Sequence, residues 1–202
     1  MADDKVLGEA PATRLAHEDL EHTDDDTLAW QAQHDPEAFG QLYRRHLERV
    51  YRYLLVRLRD TQLAQDLTAQ TFLAALEGIS GYRGEGAFAA WLISIARNKA
   101  MESIRRRQAS VPLEIAAPVA SADPSPERII AARLRLEQVA RALRMVAPER
   151  AEALVLRVFG GLSVAEVGAV MGKSEAAVKM LISRAVRDLR ERLGPDAEEV
   201  DP

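Results

Sequence analysis

Eighteen residues from Ala109 to Pro126, ASVPLEIAAPVASADPSP, carry four prolines among mostly small side chains. Proline removes a backbone donor and clashes with the preceding helical turn, so this stretch cannot hold a helix. It also lacks the apolar alternation of a strand. No single core can run through it, and a chain of 202 residues divides here into two units, each with room for a modest core. The expected organisation is an acidic extension at 1–22, a helical domain at 23–108, the linker at 109–126, a second helical domain at 127–194 and an acidic tail at 195–202. At about 3.3 Å per residue the linker spans at most roughly 60 Å. That exceeds one turn of B-DNA, about 34 Å.

Both units read as all-α. Ala, Leu, Arg and Glu are abundant and aromatics make up only 5% of the chain. In the first unit a short helix is expected from about Asp25 to Gln33, followed by a longer one that Asp35 caps and Pro36 begins. Phe39, Leu42, Tyr43, Leu47, Val50, Tyr51 and Leu54 form its apolar stripe to about Leu58. A third helix spans about Thr61 to Leu76, and a glycine-rich loop with Tyr82, Arg83 and Glu85 leads to a fourth from about Ala87 to Arg107. Four helices with short connections make a bundle. The second unit begins near Pro126-Glu127 and runs helically through Arg144, then again from about Pro148 to Phe159.

After Gly160-Gly161 the sequence LSVAEVGAVMGKSEAAVKMLISRAVRDLRERL reads as helix, turn, helix. Ser163 and Glu166 match a capping box, and Gly172 supplies the turn. Ser174 caps the second helix, in which Val178, Leu181, Ile182, Ala185 and Leu189 share one side. Ala176, Lys179, Met180, Ser183, Arg187 and Arg190 share the other, with Arg184 on the edge. A helix that buries one stripe and shows Lys, Ser and Arg opposite suits the major groove. An αα-hairpin with a merely solvated basic face would look the same.

Net charge is −4, but it is unevenly placed. Residues 1–36 carry −8 and the tail from 194 carries −4, whereas 37–109 carry +5, 110–147 carry +1 and 148–193 carry +2. An excess this small on the folded parts would not grip duplex DNA strongly, because phosphate neutralisation supplies most non-specific affinity. A DNA reader of this kind works with a partner. The absence of cysteine excludes disulfides and thiolate metal sites. No apolar run is long enough to span a bilayer and no signal segment stands at the N-terminus, so a soluble cytoplasmic protein without membrane insertion is expected. The four histidines lack metal spacing, the Asp24–Asp26 run reads as a helix-dipole cap, and no phosphate-binding glycine motif occurs. Neither a metal, a cofactor nor an enzymatic activity is expected.

The fourth helix places Leu92, Ile93, Ala96, Ala100 and Ile104 on a core side, and Trp91, Ile95, Asn98, Glu102, Arg105 and Arg106 on the other. The second set suits phosphate contact and base stacking. Equally, Trp91 and Ile95 can pack on the bundle while Arg105, Arg106 and Arg107 complement the helix C-terminus.

The blocks FGQLYRRHLERVYRYLLVRL, AQDLTAQTFLAAL and YRGEGAFAAWLISIARNKAMESIRRR resemble the first conserved domain of an extracytoplasmic-function (ECF) RNA polymerase sigma factor of the sigma-70 family. The segment Glu127 to Leu193 resembles the second. The resemblance implies a promoter-recognition subunit that binds core RNA polymerase through the β′ clamp helices and the β flap. It implies recognition of −10 and −35 promoter DNA, help in opening the −10 element, and an anti-sigma factor as a further partner. Asp66, Gln70, Thr71 and Phe72 match the polymerase-docking segment. Tyr82, Arg83, Trp91, Asn98, Lys99, Arg105 and Arg106 match the −10 surface, whose loop in the family captures a flipped base. Ser174, Ala176, Lys179, Ser183, Arg184 and Arg187 match the −35 reading helix. The chain departs from the usual pattern at Met180, Leu181 and Gln65. A free-standing DNA-binding regulator shares the helix-turn-helix but leaves the docking segment unexplained, and a helical adaptor would leave both basic faces without a task.

Overall fold

The computed structural model describes residues 23–84, 87–109 and 141–193. The extension, the tail and, apart from Ala109, the linker lie outside these residues, as does the expected start of the second unit. Among the described residues the bounded helices are, in order, α1 (Asp25–Gln31), α2 (Pro36–Leu58), α3 (Thr61–Gly78), α4 (Phe88–Ala109), α5 (Pro148–Val158), α6 (Val164–Met171) and α7 (Glu175–Leu193). A 3₁₀ turn, Ile79–Gly81, follows α3, and residues 141–144 are helical. There is no strand among the described residues.

Side-chain oxygens set the helix starts. Asp24 accepts from the backbone of Asp26 and Thr27, Asp35 from Glu37 just ahead of Pro36, and Asp60 from Leu63. Each answers donors that the first helical turn leaves unpaired. The chain leaves α2 through Arg59 in the left-handed region (φ 56°), which sets the sharp reversal into α3.

The first core gathers Leu28, Leu42, Val50, Tyr53, Leu54, Phe88, Leu92 and Ile93, all fully buried. Each such side chain contributes about 1.5–3 kcal/mol by leaving water. The apolar stripe expected on α2 is not uniform. Tyr43 and Leu47 are exposed, because α3 and α4 cover the sides carrying Leu42, Val50 and Leu54. In the second domain Leu156, Leu162, Val167, Val178 and Ala185 are buried where α5, α6 and α7 meet.

The two domains touch. Glu152 of α5 is only 5% exposed, and its partners all come from the first domain. Tyr53 donates its hydroxyl to Oε1 at 3.2 Å, Arg97 donates Nε to the same oxygen at 3.0 Å, and Arg57 reaches Oε2 at 2.8 Å. A carboxylate removed from water is tolerated only with such a set of charged and hydroxyl donors. Burial, with Glu152 alongside, pushes the Tyr53 hydroxyl pKa well upward, so it stays a donor. No helix among the described residues is long and apolar enough to cross a membrane.

Candidate nucleic-acid interface

The second domain presents its basic helix by a local mechanism. Ser163 Oγ accepts from Glu166 N at 3.2 Å while Glu166 returns a carboxylate oxygen to Ser163 N at 2.6 Å, which completes the capping box. Gly172 ends α6 at φ 64°, and Ser174 Oγ accepts from Ala177 N to start α7. One residue in this motif escaped the sequence reading. A Cβ at Gly168 would lie 2.7 Å from the Lys173 carbonyl oxygen, so α6 and the turn pack backbone to backbone. The signal was only a glycine inside a helical pattern, which is ambiguous on its own.

On α7, Val178 and Ala185 are buried and Leu181 and Ile182 pack against the core, as the wheel requires. Ser174, Ala176, Lys179, Ser183, Arg184 and Arg187 are all exposed. Among the described residues no ion pair occupies Lys179, Arg184 or Arg187; the nearby pairs are Arg150–Asp188 at 2.8 Å and Lys173–Glu149 at 3.2 Å. Three unpaired cations on one exposed helix face are available to phosphates or base edges.

The segment Asp66–Phe72 divides into exposed and buried halves. Asp66 and Gln70 are exposed one turn apart on α3, and Gln62 donates to Asp66 at 3.3 Å. Thr71 and Phe72 are buried. The Thr71 hydroxyl donates to the Leu67 carbonyl, and the Phe72 ring meets Tyr43 edge-on at 4.7 Å. Both are therefore interior residues of the first domain. Leu73, 57% exposed, and Leu76, 47% exposed, instead carry apolar surface onto the outside of α3. The sequence reading missed both.

At the other candidate surface, Asn98, Arg105 and Arg106 of α4 are exposed and Lys99 is half-buried. Arg106 pairs with Glu102 at 2.5 Å, and Arg107 reaches across to Asp60 at 2.7 Å. Tyr82, expected on the −10 surface, lies mostly inside the domain. Its ring is buried, stacked obliquely on Trp91 at 5.3 Å and edge-on to Phe88 at 5.8 Å. Its hydroxyl donates to Asp26 Oδ1 at 2.6 Å, and burial together with this carboxylate drives its pKa upward. Trp91 is half-buried in the same cluster, so neither ring offers a free stacking face here. Arg83 and Gly84 stand exposed beyond them, with Gly84 at φ 68°.

The family described as Sigma-70 region 2 matches residues 42–110, and that described as Sigma-70, region 4, matches residues 136–189. The chain is 38% identical over 166 residues to the ECF RNA polymerase sigma factor BldN of Streptomyces coelicolor, covering 81% of this chain and 63% of that one. It is 34% identical to the RNA polymerase sigma factor CarQ of Myxococcus xanthus, covering 78% of this chain and 90% of the relative. The solved structure of CnrH in complex with the cytosolic domain of CnrY superposes with a TM-score of 0.67 at 30% identity, covering 86% of this chain and 98% of CnrH.

Proposed function

The chain belongs to the ECF group of sigma-70 RNA polymerase sigma factors and directs promoter-specific transcription; from that premise we propose how its surfaces divide the work. The domain at 23–108 docks on core polymerase and handles the −10 strand, and the domain at 127–194 reads the −35 element. The observation that carries this reading is α7, whose exposed side gathers Lys179, Ser183, Arg184 and Arg187 opposite buried Val178 and Ala185. That arrangement suits insertion into the major groove, with the guanidinium groups on base edges or phosphates.

Asp66 and Gln70, with Leu73 and Leu76 beside them, form the docking face toward the β′ clamp helices. An apolar surface edged by polar groups is the composition of a protein interface. Arg83 of the loop and Asn98, Arg105 and Arg106 of α4 form the −10 surface, and Thr71, Phe72 and Tyr82 support these surfaces from inside. The chain itself catalyses no reaction; nucleotide chemistry is the polymerase's. It works in the cytoplasm beside polymerase, and by its likeness to the RNA polymerase sigma factor CnrH, whose structure is solved in complex with the cytosolic domain of CnrY, it has an anti-sigma partner.

Run-off transcription by core polymerase on a promoter library tests this. Transcripts that depend on the chain are expected, and Asp66→Ala combined with Gln70→Ala should reduce both polymerase affinity and transcript yield by about tenfold or more, the scale of interface anchors. Unchanged yield with the double variant would remove the docking assignment.

A further inference from the structure

We propose that Met180 selects a T·A pair in the −35 element by packing its side chain on the C5-methyl group of the thymine. The inference rests on assigning α7 to the −35 major groove and names one base contact within it. Met180 is 51% exposed, while Val178, Leu181, Ile182, Val186 and Leu189 of the same helix turn toward the core. Two residues beyond fully buried Val178 the helix has rotated by about 200°, which sets Met180 on the outer side. Its neighbours there are the exposed Ala176, Lys179, Ser183, Arg184 and Arg187. Met180 lies in the second turn of α7, and in helix-turn-helix proteins the N-terminal residues of the second helix meet base edges. Ala176 one turn before it and Ser183 one turn after are short, so neither holds a base pair away from it.

A single exposed apolar side chain is ordinary on a protein surface. At the centre of a basic helix face its situation differs, because the polyanion that neutralises the cations also covers the methionine. The chemistry of the groove then picks the occupant. Of the groups that base pairs present in the major groove only the thymine methyl is apolar; the others donate or accept hydrogen bonds. The methionine thioether has no N–H or O–H to offer and only a weakly accepting sulfur. Pressed on guanine O6 and N7, adenine N7 and N6 or cytosine N4, it would strip water from those groups and return nothing. Against a methyl group it removes apolar surface from water on both partners. Discrimination therefore comes from attraction at T·A and a penalty elsewhere. Lys179 and Arg184 beside it suit guanine edges or phosphates, so Met180 reads a base that the cations do not.

The test uses holoenzyme reconstituted from the full chain and core polymerase, footprinted on a promoter from the run-off screen to locate the upstream element. Each thymine there, on either strand, is replaced in turn by deoxyuridine, which removes the C5-methyl and leaves every hydrogen-bonding group in place. At one T·A pair the wild-type holoenzyme should lose about fourfold in promoter affinity, the worth of one buried methyl group. Met180→Ala, at an exposed position where alanine favours the helix, should bind the unmodified promoter more weakly and be indifferent to that replacement. Met180→Leu keeps an apolar side chain of similar size and should restore the sensitivity. Wild-type binding unaffected by deoxyuridine at every position would overturn the proposal. So would an equal loss in Met180→Ala, or an upstream element selected without a fixed T·A pair. Arg184→Ala combined with Arg187→Ala separates the two levels. If it erases the upstream footprint while deoxyuridine has no effect, the −35 assignment of α7 stands and the Met180 contact falls. If it leaves that footprint unchanged, both fall.

Discussion

Asp24, Asp25 and Asp26 carry the same charge in succession and do three different things. Asp24 caps α1, Asp25 bonds Arg45 and His46 on α2, and Asp26 reaches the loop before α4. The hydrogen bond from His46, aided by Arg45 and opposed by partial burial, lowers the Asp25 pKa from 3.8 to about 2. A carboxylate with a depressed folded pKa stabilises the fold above its unfolded pKa and loses that contribution as acid protonates it. The window for Asp25 therefore runs from about pH 4 down to about pH 2. Asp25→Asn should be less stable than the parent at neutral pH and should lose less of its stability across that window. Urea melts at a series of acid pH values check both expectations. A dipole reading of the aspartate run captured only Asp24, because the partners of the other two lie 20 to 62 residues away.

At the scale of elements, α6 and α7 show what helical periodicity can and cannot reveal. The capping box, the turn glycine and the division of α7 into a buried and a basic side all follow from residue type and spacing, and the structure has them. The close approach at Gly168 does not follow, since it depends on the angle at which the turn folds back over α6. Gly168→Ala would place a methyl 2.7 Å from the Lys173 carbonyl oxygen, and the turn would have to move. Overpacking of this kind costs about 1–3 kcal/mol. Chemical denaturation of the variant should show the loss, and binding to the −35 element should weaken with it. The same limit explains α3. Its sequence marks Asp66, Gln70, Thr71 and Phe72 as one motif, but a helix turns 100° per residue, so adjacent members point to different sides. The motif is continuous in sequence and split in space: half faces outward and half supports it. Tyr82 and Trp91 repeat the lesson, since aromatic residues beside a glycine loop are equally suited to stacking on bases and to packing on one another.

For the whole molecule, the contact at Glu152 changes the picture of two units joined only by a linker. Glu152→Ala would leave Arg57, Arg97 and Tyr53 facing a vacated site. Removing one partner from a buried ionic cluster costs about 3–5 kcal/mol, and the partial exposure of both arginines places this case toward the lower end. The free chain should then expand in small-angle scattering while its helicity is retained, with Glu152→Gln intermediate. The weak positive charge of the folded parts fits the same account. A reading domain with a net charge of only +5 over 127–194 gains its effective affinity when polymerase holds both domains on one promoter. The most direct measurement of that bipartite claim is a footprint of the reconstituted holoenzyme on a dependent promoter. Two separated protected elements are expected; Arg184→Ala with Arg187→Ala should erase the upstream one, and Asn98→Ala with Arg105→Ala should weaken only the downstream one. A single continuous element, or equal loss at both positions from the α7 substitutions, would contradict the account.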